Sequence, residues 1–140
     1  MIRILVLVGV AVTVFAFVRT RRGGISVVEK AMAPIGSLEA DRQTLRALRD
    51  AGADLTKATT VNFYIYFAER GAAESASAQA GTATLKSKVQ RAADDSTWLC
   101  LVTGSMVPSE SAIRRESTRL QAVAAAHGGD YDGWEAAVTK

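Results

Sequence analysis

An uncharged run of fifteen residues, from Ile4 to Val18, lies near the start of the chain. Basic residues flank it on both sides: Arg3 before it, and Arg19, Arg21 and Arg22 after it. As a helix the run would extend about 22 Å, against about 30 Å for the hydrocarbon core of a bilayer. Because arginine side chains at both ends can reach the membrane interface, the segment is long enough to span. The pattern predicts an uncleaved membrane anchor over residues 1–22.

The same flanking charges predict an orientation for this anchor. Three arginines follow the apolar run, and positive charge tends to stay on the cytoplasmic side. We therefore expect a single-pass protein of a bacterial inner membrane, with its N-terminus outside and its domain in the cytoplasm. Two alternatives stay open: a signal peptide, cleaved to give a secreted protein, and a buried core helix. Cys100, the one cysteine, can form no internal disulfide, which fits the cytoplasm.

The positive charge of the chain is concentrated in its first part. Residues 1–37 contain five basic residues and one acidic residue, a net charge of +4, whereas the remaining 12 basic and 13 acidic residues give −1. The sequence pI of about 9.3 therefore belongs to the membrane flank, where each basic side chain gains about 1 kcal/mol from anionic lipid. Glycines and Pro34 indicate a tether over residues 23–37, and residues 38–140 are the right length for one domain.

Hydrophobic periodicity predicts seven elements in this domain. They are a helix from Leu38 to Ala51, strand Val61–Phe67, helix Gly71–Ala80, strand Thr82–Gln90, strand Trp98–Thr103, a helix opened by Pro108 and Ser109 and ended by His127, and strand Trp134–Val138. After the leading helix, this βαββαβ order predicts an α+β ferredoxin-like fold, an antiparallel sheet with two helices on one face. Right-handed crossovers would place the first and third strands at the centre.

Two groups of polar side chains are candidate partner-binding residues. If the helices cover the face that carries Phe63, then the other face of the sheet carries Asn62, Tyr64, Tyr66, Lys86 and Lys88. That face could bind a protein, stack RNA bases on its aromatic rings, or be covered by the leading helix. The second group is Arg42, Arg46 and Arg49, which form one stripe on the leading helix, either solvated or able to dock an acidic partner.

The sequence predicts no catalytic or metal centre, and no cofactor. His127 suits a helix C-terminus, and Cys100 lies inside an apolar strand, where a thiol is inert. Asp130, Asp132 and Gly133 faintly resemble a calcium loop, but Trp134 occupies the next ligand position, which favours a turn. We expect a protein that is not an enzyme.

Several motifs resemble those of one known family. The most specific is the run of His127, Gly128, Gly129, Asp130, Tyr131, Asp132, Gly133 and Trp134. Shorter ones lie at 45–48, 52–55, 63–67, 98–99 and 106–108. Together they resemble the regulator of ribonuclease activity B family over about 70% of the chain. The resemblance implies a ferredoxin-like domain and a non-catalytic inhibitor of ribonuclease E. Those inhibitors are soluble and markedly acidic, whereas this domain is nearly neutral.

The anchor and the resemblance together predict a membrane-tethered regulator. Its expected partners are ribonuclease E, or another cytoplasmic ribonuclease, and the lipid bilayer. The alternative is a membrane-associated RNA-binding module that uses the open face of the sheet.

Overall fold

A computed structural model describes residues 33–140 and shows an α+β domain in that part of the chain. The predicted anchor over residues 1–22 lies outside the described residues, as does most of the predicted tether. No helix within residues 33–140 has the length and apolar character that crossing a bilayer requires.

The first described helix, α1, spans Leu38–Asp50, close to its predicted range. Its start is fixed by Ser37, whose Oγ accepts a hydrogen bond from the backbone N–H of Ala40 at 3.0 Å. This bond satisfies an N–H group that the first turn of a helix leaves without a partner. Beyond the end of α1, Gly52 has a φ of 95°, a left-handed conformation that glycine adopts without a Cβ clash.

Four strands form one antiparallel sheet. They are β1 (Thr59–Phe67), β2 (Lys86–Arg91), β3 (Trp98–Met106) and β4 (Asp130–Ala136). Their order across the sheet is β2-β3-β1-β4, so the first and third strands are central, as predicted. This is the strand order of the ferredoxin-like fold.

Two further helices, α2 (Arg70–Ala80) and α3 (Glu110–Ala126), connect strands within this order. The alanines Ala73, Ala76 and Ala80 are fully buried, and their small side chains let α2 approach the sheet closely. The start of α3 is fixed by Ser109, whose Oγ accepts a hydrogen bond from the backbone N–H of Ala112 at 3.2 Å. Both helices agree with the predicted pattern.

The hydrophobic core lies between these helices and one face of the sheet. In β1 the alternation is as predicted, because Val61, Phe63, Ile65 and Phe67 are at most 2% exposed. The helices contribute the other large core side chains: Leu45 and Leu48 from α1, and Ile113, Leu120 and Val123 from α3. All three described helices therefore contribute to one core.

The second strand is shorter than predicted. It begins at Lys86, not at Thr82, because the preceding residues form a turn. Thr82 Oγ1 accepts hydrogen bonds from the backbone N–H groups of Thr84, at 3.2 Å, and Leu85, at 3.0 Å. A threonine hydroxyl that accepts hydrogen bonds from nearby backbone N–H groups competes with the hydrogen bonds between strands. As a result Ala83, which alternation placed inward, is exposed.

The last strand begins earlier than predicted, at Asp130 instead of Trp134, and ends at Ala136. The predicted turn is in fact a bulge inside β4. Phe63 pairs with Trp134 and Ile65 with Tyr131, so two residues of β4 lie opposite Tyr64. The second of these two is Gly133, with a φ of 89°. The central strand β3 also runs three residues further than expected, to Met106.

Candidate partner-binding surfaces

One face of the sheet points away from the core and carries the polar side chains of β1. Tyr64 pairs with Leu101 of β3, which in turn pairs with Lys88 of β2. Residues that pair across an antiparallel sheet share a face. The register therefore places all five predicted residues together, and we name this surface the tyrosine face. It is defined by Asn62, Tyr64, Tyr66, Lys86 and Lys88.

Helix α1 does not cover the tyrosine face. Trp134 Nε1 donates a hydrogen bond to Asp41 Oδ1 of α1 at 3.0 Å. Trp134 pairs with Phe63, which is fully buried on the core side of the sheet. Because α1 packs on that side, the alternative in which the leading helix packs across the tyrosines is wrong. Within residues 33–140, all helices pack on the core side of the sheet.

The tyrosine face also carries carboxylates, which the sequence analysis did not assign to it. Tyr64 Oη donates a hydrogen bond to the carboxylate of Glu135, and Asn62 Nδ2 donates to Glu135 Oε1 at 3.4 Å. Asp130 pairs with Tyr66 in the same part of the sheet. Burial, reinforced by Glu135, raises the pKa of Tyr64, which keeps its hydroxyl protonated.

These carboxylates give the tyrosine face two differently charged sides. Lys86 and Lys88 lie on the edge strand β2, whereas Glu135 and Asp130 lie on the opposite edge strand β4. An RNA backbone that crossed the sheet would meet repulsion at β4. A protein partner with both signs of charge fits this pattern better. Asp130 could not be assigned to this face from the sequence, because β4 was expected to begin only at Trp134, and Glu135, inside the predicted strand, was not assigned to either face.

The predicted arginine stripe lies elsewhere, on the solvent side of α1. It faces the loop that leads into α3, and helix and loop together enclose a groove of about 410 Å³. We name this surface the arginine groove. Its lining is Arg42, Leu45, Arg46, Arg49, Leu55, Pro108, Ser109 and Glu110. The predicted partner-binding residues therefore form two surfaces, one on the open face of the sheet and one on its helical side.

Two of the three arginines take part in exposed ion pairs. Arg42 Nη2 lies 3.0 Å from Glu110 Oε1 on α3, and Arg46 Nη2 lies 2.6 Å from Glu39 Oε1 on α1. All four side chains are between 44% and 52% exposed. Solvent screens pairs this exposed, so their contribution to stability is small and another carboxylate can replace either glutamate at little cost.

A buried polar network joins α1 to α3 and β4. Asp41 is 2% exposed and accepts hydrogen bonds from Trp134 Nε1 and Arg114 Nη1, each at 3.0 Å. Ser117 Oγ lies 3.5 Å from Asp41 Oδ1 and donates to Tyr131 Oη at 3.0 Å. Burial raises the pKa of Asp41 above its ordinary value of 3.8, although Trp134 and Arg114 oppose this shift.

The sequence did not indicate this network, because an aspartate in the first turn of a helix is stabilised there without a buried partner. The available signal was Trp134, since a buried indole N–H usually has an acceptor. The leading helix is an addition to the ferredoxin-like order of elements. The buried network holds it against α3 and β4.

The residues of the family motif build the junction between α3 and β4. His127 is the C-cap of α3, and Gly128 follows it with a φ of 69°. Gly129 lies against the ring of Phe67, which a Cβ atom at this position would overlap. In β4, Tyr131 and Trp134 hydrogen-bond into the buried network, Asp132 is 2% exposed, and Gly133 lies in the bulge. Packing and backbone geometry thus account for most of this run.

The groups considered for catalysis lie in structural positions. Cys100 is fully buried, and burial raises the pKa of its thiol, which favours the unreactive protonated form. His127 caps α3. Among residues 33–140, no group of three or more histidine, cysteine, aspartate or glutamate side chains could hold a metal ion. The described features thus define a small α+β domain with two candidate partner-binding surfaces, the tyrosine face and the arginine groove.

Comparison with known families identifies this class of domain. The family model of regulator of ribonuclease activity B matches residues 38–136, so the chain belongs to this family. The resemblance seen in the short motifs is thereby confirmed. The family consists of regulators of ribonuclease activity and is not a catalytic family. No curated protein matches the chain.

Proposed function

We propose that this chain is a non-catalytic regulator that binds a ribonuclease and inhibits it, with ribonuclease E as the first partner to test. The family match over residues 38–136 carries the proposal. The buried Cys100 and the capping role of His127 support it, because neither is placed as a catalytic group. The tyrosine face and the arginine groove are the surfaces proposed to bind the partner.

The proposal also places the regulator at the cytoplasmic face of a bacterial inner membrane. In support, residues 4–18 carry no charge and basic residues flank them. Residues 1–22 would be the anchor, 23–37 a tether, and 38–140 the regulatory domain. Tethering would confine the domain to a thin layer at the membrane, which raises its effective concentration toward any ribonuclease held there.

A reporter fused after Lys140 tests this orientation. We expect a reporter that is active only in the periplasm to give no signal, because the arginines after the apolar run keep the domain inside. The same fusion with Arg19, Arg21 and Arg22 replaced by glutamine serves as the comparison, in which the orientation should become mixed. Full reporter activity in the unaltered fusion would contradict the proposed location.

Inhibition of ribonuclease E can be measured with the full-length chain in nanodiscs and a fluorogenic single-stranded RNA. We expect cleavage to fall as the chain is added. If the tyrosine face binds the enzyme, replacing Tyr64, Tyr66 and Lys86 by alanine should weaken inhibition about tenfold, since aromatic side chains dominate most binding surfaces. Arg115→Ala, at an exposed site on α3, is the control. Cleavage that does not change with the unaltered chain argues against the proposal.

A second candidate function is RNA binding, because the register brings two tyrosines and two lysines onto one face. It would also slow cleavage, by sequestering the substrate. The two functions differ in a direct measurement with labelled single-stranded RNA alone. RNA binding by the chain should fall steeply as salt rises, whereas a regulator of the enzyme should bind little RNA even at low salt.

A further inference from the structure

We propose that the arginine groove is a binding site for an acidic peptide segment of the partner protein, one that presents carboxylates on either side of an apolar side chain. This inference deepens the proposed function, and rests on it only for the view that the partner is a ribonuclease. The chemistry of the segment follows from the groove itself.

The charge of the groove favours carboxylates. The lining holds three arginines and the carboxylate of Glu110, and Glu39 pairs with Arg46 from outside the lining, which leaves a local net charge of +1 in a domain whose net charge is −1. The arginines lie four and three residues apart on α1, so neighbouring guanidinium groups follow one another at about one helical turn. Guanidinium groups bind carboxylates in a planar two-point geometry, which a series of acidic side chains can satisfy.

The floor of the groove favours a peptide over a nucleic acid. Leu45 is 6% exposed, Pro108 is buried and Leu55 is half-buried, so the floor is apolar. None of the eight lining residues is aromatic, and nucleic-acid sites of this kind usually stack bases on aromatic rings. Val107, the residue before Pro108 in the chain, is 42% exposed. An apolar side chain between two acidic ones would cover this floor.

The ion pair between Arg42 and Glu110 shows how a ligand carboxylate would bind. Glu110 reaches across from α3 and places its carboxylate 3.0 Å from the guanidinium group of Arg42. We infer that Glu110 occupies the position of one ligand carboxylate and competes with the ligand for Arg42. The pair is about half exposed, so the exchange needs no change in the core.

A second copy of this chain is a poorer occupant. In a twofold-symmetric dimer formed through the groove, each stripe of arginines would approach the arginines of its partner. Like charges at an interface cost energy unless other groups pair with them. The charge pattern therefore favours a partner of opposite charge over self-association.

Fluorescence anisotropy of a labelled peptide tests the site. The probe is a ten-residue peptide of alternating glutamate and leucine pairs, and its control has glutamine in place of glutamate. With the full-length chain in nanodiscs of neutral lipid, we expect the acidic probe to bind and the glutamine probe to bind at least tenfold more weakly. Replacing Arg46 and Arg49 together by glutamate should weaken binding of the acidic probe at least tenfold.

A matched variant separates the site from the overall charge. Replacing Arg70 and Arg115 by glutamate changes the net charge by the same amount at exposed positions outside the groove lining, and should change affinity less than threefold. Equal losses in the two double variants would overturn the proposal. Binding of single-stranded RNA at Arg46 and Arg49 without binding of the acidic probe would also overturn it, as would self-association through the groove without probe binding.

Glu110→Gln tests the competition. Because this change releases Arg42, the acidic probe should bind about threefold to tenfold more tightly, and unchanged affinity would overturn the role given to Glu110. Ribonuclease inhibition is measured separately on the Arg46 and Arg49 variant. If the variant loses probe binding but still inhibits the ribonuclease, the groove binds another partner and the proposed function is retained. If the unaltered chain binds the probe but does not inhibit the ribonuclease, the proposed function is wrong and the proposal for the groove is retained.

Discussion

Asp41→Ala is expected to lower the free energy of unfolding by about 3 kcal/mol, because it removes the buried carboxylate of a partly buried, hydrogen-bonded ion pair. The change leaves Trp134 Nε1 without its buried acceptor and Arg114 without its carboxylate. Leaving a buried donor without an acceptor costs more free energy than the hydrogen bond contributes when it is formed. Urea unfolding of the full-length chain, followed by near-ultraviolet circular dichroism, measures the loss.

Two comparisons identify the cause of this loss. Asp50→Ala removes an exposed carboxylate from the same helix and should change stability by less than about 0.5 kcal/mol. A loss below about 1 kcal/mol for Asp41→Ala would show that the buried network does not fasten α1 to the domain.

The pH dependence of Asp41→Asn supplies the second comparison. Burial raises the pKa of Asp41 in the folded state above 3.8, so the folded state binds this proton more tightly than the unfolded state does. The resulting contribution to stability is present below 3.8 and decreases as the pH rises through the folded pKa. The stability of the native chain relative to Asp41→Asn should therefore be greater at pH 4 than at pH 7.

Gly104→Ala is expected to lower the free energy of unfolding by about 2 kcal/mol, within the range of overpacked sites. A Cβ atom on Gly104, in β3, would overlap the backbone oxygen of Thr84 and lie 2.7 Å from Leu85 Cδ2. Because backbone atoms block the site, a side-chain rotation cannot relieve the clash. Thermal or urea unfolding of the full-length chain measures the effect.

Gly71→Ala is the matched control for this substitution. Gly71 lies in the first turn of α2, and nothing lies within 4 Å of the position its Cβ would take. Alanine there should stabilise the chain by about 0.5 to 1 kcal/mol, because it restricts the unfolded backbone and favours the helix. If both substitutions had the same sign of effect, the close packing of the turn before β2 against Gly104 would be in doubt.

Local pattern was enough to predict most of the fold. Strict alternation in β1 assigned Phe63 to the core and Tyr64 to the opposite face, and both assignments are confirmed. Ser109 marked the start of α3 correctly, because its hydroxyl group accepts a hydrogen bond from an N–H group only three residues away.

The features that were missed depend on distant residues. The β4 bulge follows from how Tyr131 and Trp134 pair with β1, which no local pattern contains. Likewise, the partners of the buried Asp41 are distant in sequence, Trp134 lying 93 residues after it. The spacing of the arginines along the sequence predicted that they share one side of a helix. The groove could not be predicted in this way, because it forms only where the loop at Pro108 packs beside α1.

The two edges of the sheet limit how any partner can attach. Strand β4 is bulged at Gly133, and the other edge strand, β2, is six residues long and carries Lys86, Lys88 and Arg91. Short, charged or bulged edges are poor templates for another strand. A partner therefore gains little from backbone pairing with either edge of this sheet, and its recognition depends on side chains. Selectivity between partners can then be changed by single substitutions on the protein surface.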